Sequence, residues 1–61
     1  MNTQQYIGLT KENAIKLAKS NNVQSRITEE DGVGRMVTMD YRKDRVNFSV
    51  ENNIVTAAKV G

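Results

Sequence analysis

Few groups in this chain could do chemistry, and most of them lack a partner. Ser20, Ser25 and Ser49 carry hydroxyl nucleophiles, but a serine needs an adjacent base, and the 61 residues contain no histidine. Seven carboxylates are present. Three of them, Glu29, Glu30 and Asp31, form an acidic run that reads as a solvated loop. Gly32 and Gly34 lack the Lys-Ser/Thr ending that a phosphate-cradling loop requires. With neither cysteine nor histidine, the chain has no disulfide and no zinc ligand set of the usual kind. The lack of cysteine leaves the redox compartment open. No metal and no cofactor is expected, and the composition favours a small binding module over an enzyme.

Nine basic residues face seven acidic ones, for a net charge of +2 and a pI near 9.2. The charges alternate in sign along most of the chain. Only Arg42, Lys43, Asp44 and Arg45 are dense, and Asp44 interrupts them. Tyr6, Tyr41 and Phe48 are the only aromatic residues, too few for a base-stacking platform. Nucleic-acid binding through Arg35, Arg42, Lys43 and Arg45 therefore ranks below protein binding. Residues 1–5 carry no positive cluster and no apolar run follows them, so they do not read as a signal peptide. No stretch is long enough to span a membrane. The expected setting is the cytoplasm, or else the chain is the mature form of a secreted protein. A single monomeric domain over 1–61 is expected, with the modest stability of so short a chain.

The stretch 35–43 fits neither the helical nor the strand period. Met36, Val37 and Met39 are apolar but stand among Arg35, Thr38, Asp40 and Arg42. Two readings follow from the residues alone. In one, these three side chains bury in an ordinary edge strand. In the other, Met39, a large apolar residue between Thr38 and Asp40, is exposed on a loop beyond two glycines.

The elements that must hold this stretch are legible on either side of it. Thr10 is a good N-cap, with Leu9 and Ala14 spaced for a hydrophobic staple. Ala14, Leu17 and Ala18 line one face at helical spacing with Ile15 at its margin. Glu12 and Lys16 stand four apart in the favourable order. Asn21-Asn22 is a stop, which places a helix at about 11–21. Val23–Ile27 reads as a strand with Val23, Ser25 and Ile27 on one face, and Glu29 to Gly34 as loop. Arg45 to Glu51 alternates, with Val46, Phe48 and Val50 turned inward and Arg45, Asn47 and Ser49 outward. Asn52-Asn53 turns the chain, because asparagine tolerates positive φ, and Ile54 to Val60 is a last strand.

Val37, Thr38, Met39, Asp40, Tyr41, Arg42, Asp44, Arg45 and Val46 follow one another in the order Val-Thr-Met-(Glu/Asp)-Tyr-Arg-x-Asp-Arg-Val. This order resembles the reactive loop of the potato inhibitor I family and its bacterial small-inhibitor relatives. The flanks resemble the family too: Ile7, Gly8, Leu9 and Thr10 before the helix, Val46, Phe48 and Val50 after the loop, and Asn53, Ile54, Val60 and Gly61 at the end. The resemblance implies an α+β fold, with one helix on a small mixed sheet and an exposed loop between two parallel strands. It implies a serine protease inhibitor whose loop enters the enzyme's active site like a substrate. Met39 would fill the primary pocket of a subtilisin-like or chymotrypsin-like enzyme, and Met39–Asp40 would be the scissile bond.

The resemblance also implies support for the loop from basic side chains on the following strand. Arg45 matches one of them, with Asp40 as its carboxylate partner near the surface. The second support position falls on Asn47, which is shorter and neutral and cannot replace a guanidinium. Asp40 and Ala58 stand where plant members carry Glu and Pro. These departures bear on potency more than on fold. A scaffold of this kind that binds a partner without inhibiting it is the alternative.

Overall fold

Thr10 opens the only α-helix. Its hydroxyl accepts from the Asn13 amide at 3.2 Å, supplying one of the partners that a helix N-terminus lacks. The helix, α1, spans Lys11–Ser20, one residue short of the expected end. Its stop is chemical. Asn22 sits at φ 59°, the Asn22 amide donates to Lys19 O at 3.0 Å, and the Val23 amide donates to Ala18 O at 2.9 Å. This is a Schellman closure with asparagine at the left-handed position. The computed structural model describes all residues from Met1 to Gly61.

Four strands follow: β1 Gln24–Glu30, β2 Val33–Gly34, β3 Arg45–Glu51 and β4 Ile54–Val60. Their order in the sheet is β2-β1-β3-β4. β1 and β3 are parallel neighbours, while the β1–β2 and β3–β4 pairs are antiparallel. The fold is thus α+β, one helix on a mixed sheet, as expected. Both β3 and β4 match their expected bounds.

The acidic run is a correction. Glu29 and Glu30 belong to β1, and Glu30 pairs with Val33 across a two-residue hairpin. Asp31 and Gly32 both have positive φ, 53° and 81°, as an Asp-Gly hairpin turn demands. Glu30 is also anchored sideways. Lys11 Nζ donates to it at 2.8 Å, and Arg35 forms a second ion pair with it. The Asn52-Asn53 turn is built alike, at φ 49° and 68°. Asp31 links the two turns: its carboxylate accepts from the Asn52 amide at 2.8 Å.

Core burial is one-sided. Ala14 and Ala18 of α1 cover Val46, Phe48 and Val50 of β3 and Val55 of β4, and Tyr6 closes the end. Tyr6 comes from a short 3-10 turn, Thr3–Tyr6. Its ring meets Phe48 at 5.2 Å between centroids, and its hydroxyl accepts from Asn21 Nδ2 at 3.2 Å. Glu12 does not pair with Lys16; it accepts from Asn53 Nδ2 at 3.1 Å. The opposite sheet face carries Arg26 and Thr28 of β1, Asn47 and Ser49 of β3, and Ala57 and Lys59 of β4. No helix of this chain is long and apolar enough to cross a membrane.

With only seven buried hydrophobic residues, each carries a large share of stability. Phe48→Ala should cost about 3–5 kcal/mol, close to all that a domain of this size holds. Circular dichroism should show it largely unfolded at 25 °C.

Acid should loosen the Glu30 anchor. The bond from Lys11 holds the Glu30 carboxyl below its ordinary value, with the charges of Lys11 and Arg35 adding to it. A depressed folded pKa gives stability that is present above the unfolded value, about 4.3, and lost as pH falls through the folded value. Thermal midpoints measured from about pH 7 to about pH 2.5 should fall on the acid side, and Glu30→Gln should flatten part of that fall. An unchanged slope in the variant would show that the anchor contributes nothing.

Candidate functional site

Between β2 and β3 the chain leaves the sheet. Residues 35–42 form no regular element, and a turn at Lys43-Asp44 returns the chain to β3. The limbs are fastened at both ends: the Arg35 amide donates to Thr28 O at 2.9 Å, and the Gln24 amide donates to Asp44 O at 2.8 Å. This segment overhangs the open sheet face. Beneath it lies a cleft of about 610 Å³, floored by Arg26, Asn47, Ser49 and Lys59 and roofed by Val37 to Tyr41.

Met36 and Met39 point away from the fold and are 102% and 96% exposed. Neither belongs to an edge strand. Thr38, Asp40, Tyr41 and Arg42 are exposed as well, and only Val37 is half-buried. Met39 therefore stands at an outward apex with no cover from its own chain.

Arg45 holds the limb after that apex. As the first residue of β3 it faces the open side of the sheet, beside the end of β4. Its Nε and Nη2 donate to Gly61 O at 3.0 and 2.6 Å. Nη2 also donates to Asp40 O at 2.8 Å. The same Gly61 oxygen accepts from the Arg42 amide at 3.1 Å. One guanidinium thus ties the apex to the far edge of the sheet. One expectation is corrected here. Arg45 is buried, with 8% exposure, rather than near the surface. Its shortest bonds go to main-chain oxygens, and the expected Asp40 carboxylate pairs with it at 3.7 Å.

The limb before the apex is held by a residue that the sequence pattern did not nominate. Arg26 of β1 donates through Nε to Asn47 Oδ1 at 2.7 Å and through Nη1 to Thr38 Oγ1 at 3.0 Å. Asn47 contributes no charge of its own. It accepts from a guanidinium on the neighbouring strand and so orients it toward the loop. The register explains this, because Arg26 and Asn47 are direct partners across the parallel β1–β3 pair. The signal was present in the alternation: with Val23, Ser25 and Ile27 turned inward, Arg26 had to share the outer face with Arg45 and Asn47. Gly61 completes the arrangement, since a Cβ there would lie 2.8 Å from Asn47 Nδ2.

The electrostatics agree with these ties. The Thr38 hydroxyl holds the Asp40 carboxyl below the ordinary aspartate value, with Arg45 and Arg26 adding to it. Arg42 and Asp44 form an exposed fork at 3.1 and 3.2 Å that lowers the Asp44 pKa and raises that of Arg42. Of the four basic residues named for nucleic-acid binding, only Lys43 is both exposed and outside an ion pair. Arg35 is paired with Glu30, Arg42 with Asp44, and Arg45 is buried. No protein-family model matches the chain, and no curated protein matches it.

The two arginines should differ in what they support. Arg45→Ala removes three bonds to main-chain oxygens from a buried place, and a hydrogen bond to a charged group contributes about 1.5–3 kcal/mol. It should lower the unfolding free energy from urea titration by at least about 1.5 kcal/mol, with a fall in the urea midpoint. Arg26→Ala should change stability by less than about 1 kcal/mol yet speed amide exchange at Thr38 and Met39. Equal effects of both changes on the urea midpoint would contradict the division.

Proposed function

We propose that this chain is a serine protease inhibitor that presents Met39 to the enzyme's primary pocket and Met39–Asp40 as the scissile bond. The observation that carries this reading is an uncovered apolar side chain at an apex whose two limbs are fastened independently, one through Arg26 and one through Arg45. The likeness of residues 37–46 to the potato inhibitor I loop supports it.

Mechanism follows from those ties. A substrate must be ordered when it binds, and ordering costs affinity; a loop already held avoids much of that cost. Val37 and Thr38 would pair with the enzyme's substrate strand by main-chain hydrogen bonds. Met39 is unbranched and polarizable, which suits a wide apolar pocket. When the enzyme's nucleophile attacks the Met39 carbonyl, the peptide bond breaks and Asp40 becomes a new amine. In an ordinary substrate that amine diffuses away. Here Arg45 holds the Asp40 main chain against Gly61, so the amine remains beside the acyl group at high effective concentration and the bond re-forms. The chain supplies no catalytic group; it supplies geometry that the enzyme cannot discard.

A panel of serine proteases titrated with the purified chain tests the reading. Subtilisin-like or chymotrypsin-like enzymes should be inhibited at micromolar protein or below, and trypsin little. Met39→Lys should move the preference to trypsin. It should change stability by no more than an exposed substitution does, about 0.5 kcal/mol. Lack of both inhibition and Met39–Asp40 cleavage across the panel would overturn the proposal in favour of a non-inhibitory binding role.

A further inference from the structure

The apex residue is also one of the most exposed oxidisable atoms in the chain. There is no cysteine, and the three methionines are Met1, Met36 and Met39. Met1 is about half exposed, while Met36 and Met39 are 102% and 96% exposed. Neither loop thioether makes a hydrogen bond, and neither belongs to the buried cluster. Methionine in a core is shielded and its oxidation disrupts the fold. Methionine at this apex is reachable by any small oxidant, and the fold does not depend on it.

We propose that Met39 is a modification site at which peroxide reversibly switches the loop's protease binding off; the switch rests on the inhibitor reading above. The thioether sulfur attacks one oxygen of hydrogen peroxide and the O–O bond breaks. The second oxygen leaves with the proton of the first as water. Sulfur is oxidised by two electrons, peroxide is reduced by the same two, and the product is methionine sulfoxide. The side chain becomes polar and chiral. In an apolar pocket its S–O dipole has no partner, and burying an unpaired dipole is unfavourable. Methionine sulfoxide reductases reverse the change. The Arg26 and Arg45 ties bind Thr38 and the Asp40 main chain, not the Met39 side chain. The loop's shape therefore survives oxidation while its fit to the pocket does not.

Met36→Leu leaves Met39 as the only sulfur in the loop and lies outside the residues that would pair with the enzyme. This variant should be treated with hydrogen peroxide and the oxygen located by peptide mass mapping. Met39 should oxidise within about twofold of the rate of a blocked free methionine, as its exposure demands, with the thermal midpoint unchanged. Inhibition of an apolar-pocket protease should weaken on the order of ten- to a hundredfold, the scale of an unpaired buried dipole. The two epimer-specific sulfoxide reductases together should restore it. Met39→Leu should keep after peroxide whatever inhibition it had before. Oxidation of Met39 more than tenfold slower than the free residue, or full inhibition by the sulfoxide form, would overturn the switch alone. An untreated protein that inhibits no enzyme would overturn the inhibitor reading and the switch together.

Discussion

Arg45 stands where the loop rejoins the sheet, and its guanidinium lies between two main-chain oxygens, those of Asp40 and Gly61. A buried arginine is unfavourable unless its donors are satisfied, and here the hydrogen-bond acceptors are main-chain oxygens. This requirement fixes several features at once. The end of β4 must reach the start of β3, which the Val46↔Val60 pairing provides. A side chain at Gly61 would displace the Asn47 amide, because a Cβ there would lie 2.8 Å from Nδ2. The loop must bend so that Asp40 presents its carbonyl downward, which turns Met39 outward.

The rest of the molecule makes that geometry possible on a small core. α1 covers one sheet face with alanines, so helix and sheet approach closely, and the bulk is supplied by Tyr6 and Phe48 from outside the helix. The covered face leaves the other free for polar side chains. Arg26, Asn47 and Lys59 then form a row across three strands on that face. A larger domain could bury its loop supports under further chain. This one exposes them to a cleft and relies on register to align them.

Helix, β3, β4 and the Asn52-Asn53 turn were all legible in the sequence, because each is dictated by local chemistry: a capping hydroxyl, a period of two, an asparagine tolerant of positive φ. The β1–β2 hairpin reads as loop in the sequence because Glu29 and Glu30 look solvated. Their strand pairing depends on the Asp31-Gly32 turn, and Glu30 depends on Lys11, nineteen residues earlier. The role of Arg26 was hidden for a similar reason. It depends on which residue of β1 lies opposite Asn47, and a parallel register is set by the whole β1–loop–β3 connection. Asn47 was seen as a missing charge, although the charge had only moved to the next strand. Arg45 was placed near the surface because its distance from Gly61 along the chain conceals their proximity in space.

The supports also explain how a marginal domain can hold a stiff loop. Loop order and global stability are separate quantities, since local opening can be rarer or commoner than its surroundings suggest. The limb at Thr38 is tied through a half-buried side chain to β1, a central strand with neighbours on both sides. The limb at Asp40 is tied through a buried side chain to Gly61, the residue after β4, an edge strand. The second tie is individually stronger, because its guanidinium is dry. Its anchor is weaker, because the end of an edge strand frays most readily. Release of Gly61 would remove two of the three Arg45 bonds and the partner of the Arg42 amide in one step. The rigidity of the bond that follows Met39 is therefore limited by the closure of β4 onto β3, and Arg26 still holds the other limb when that closure opens.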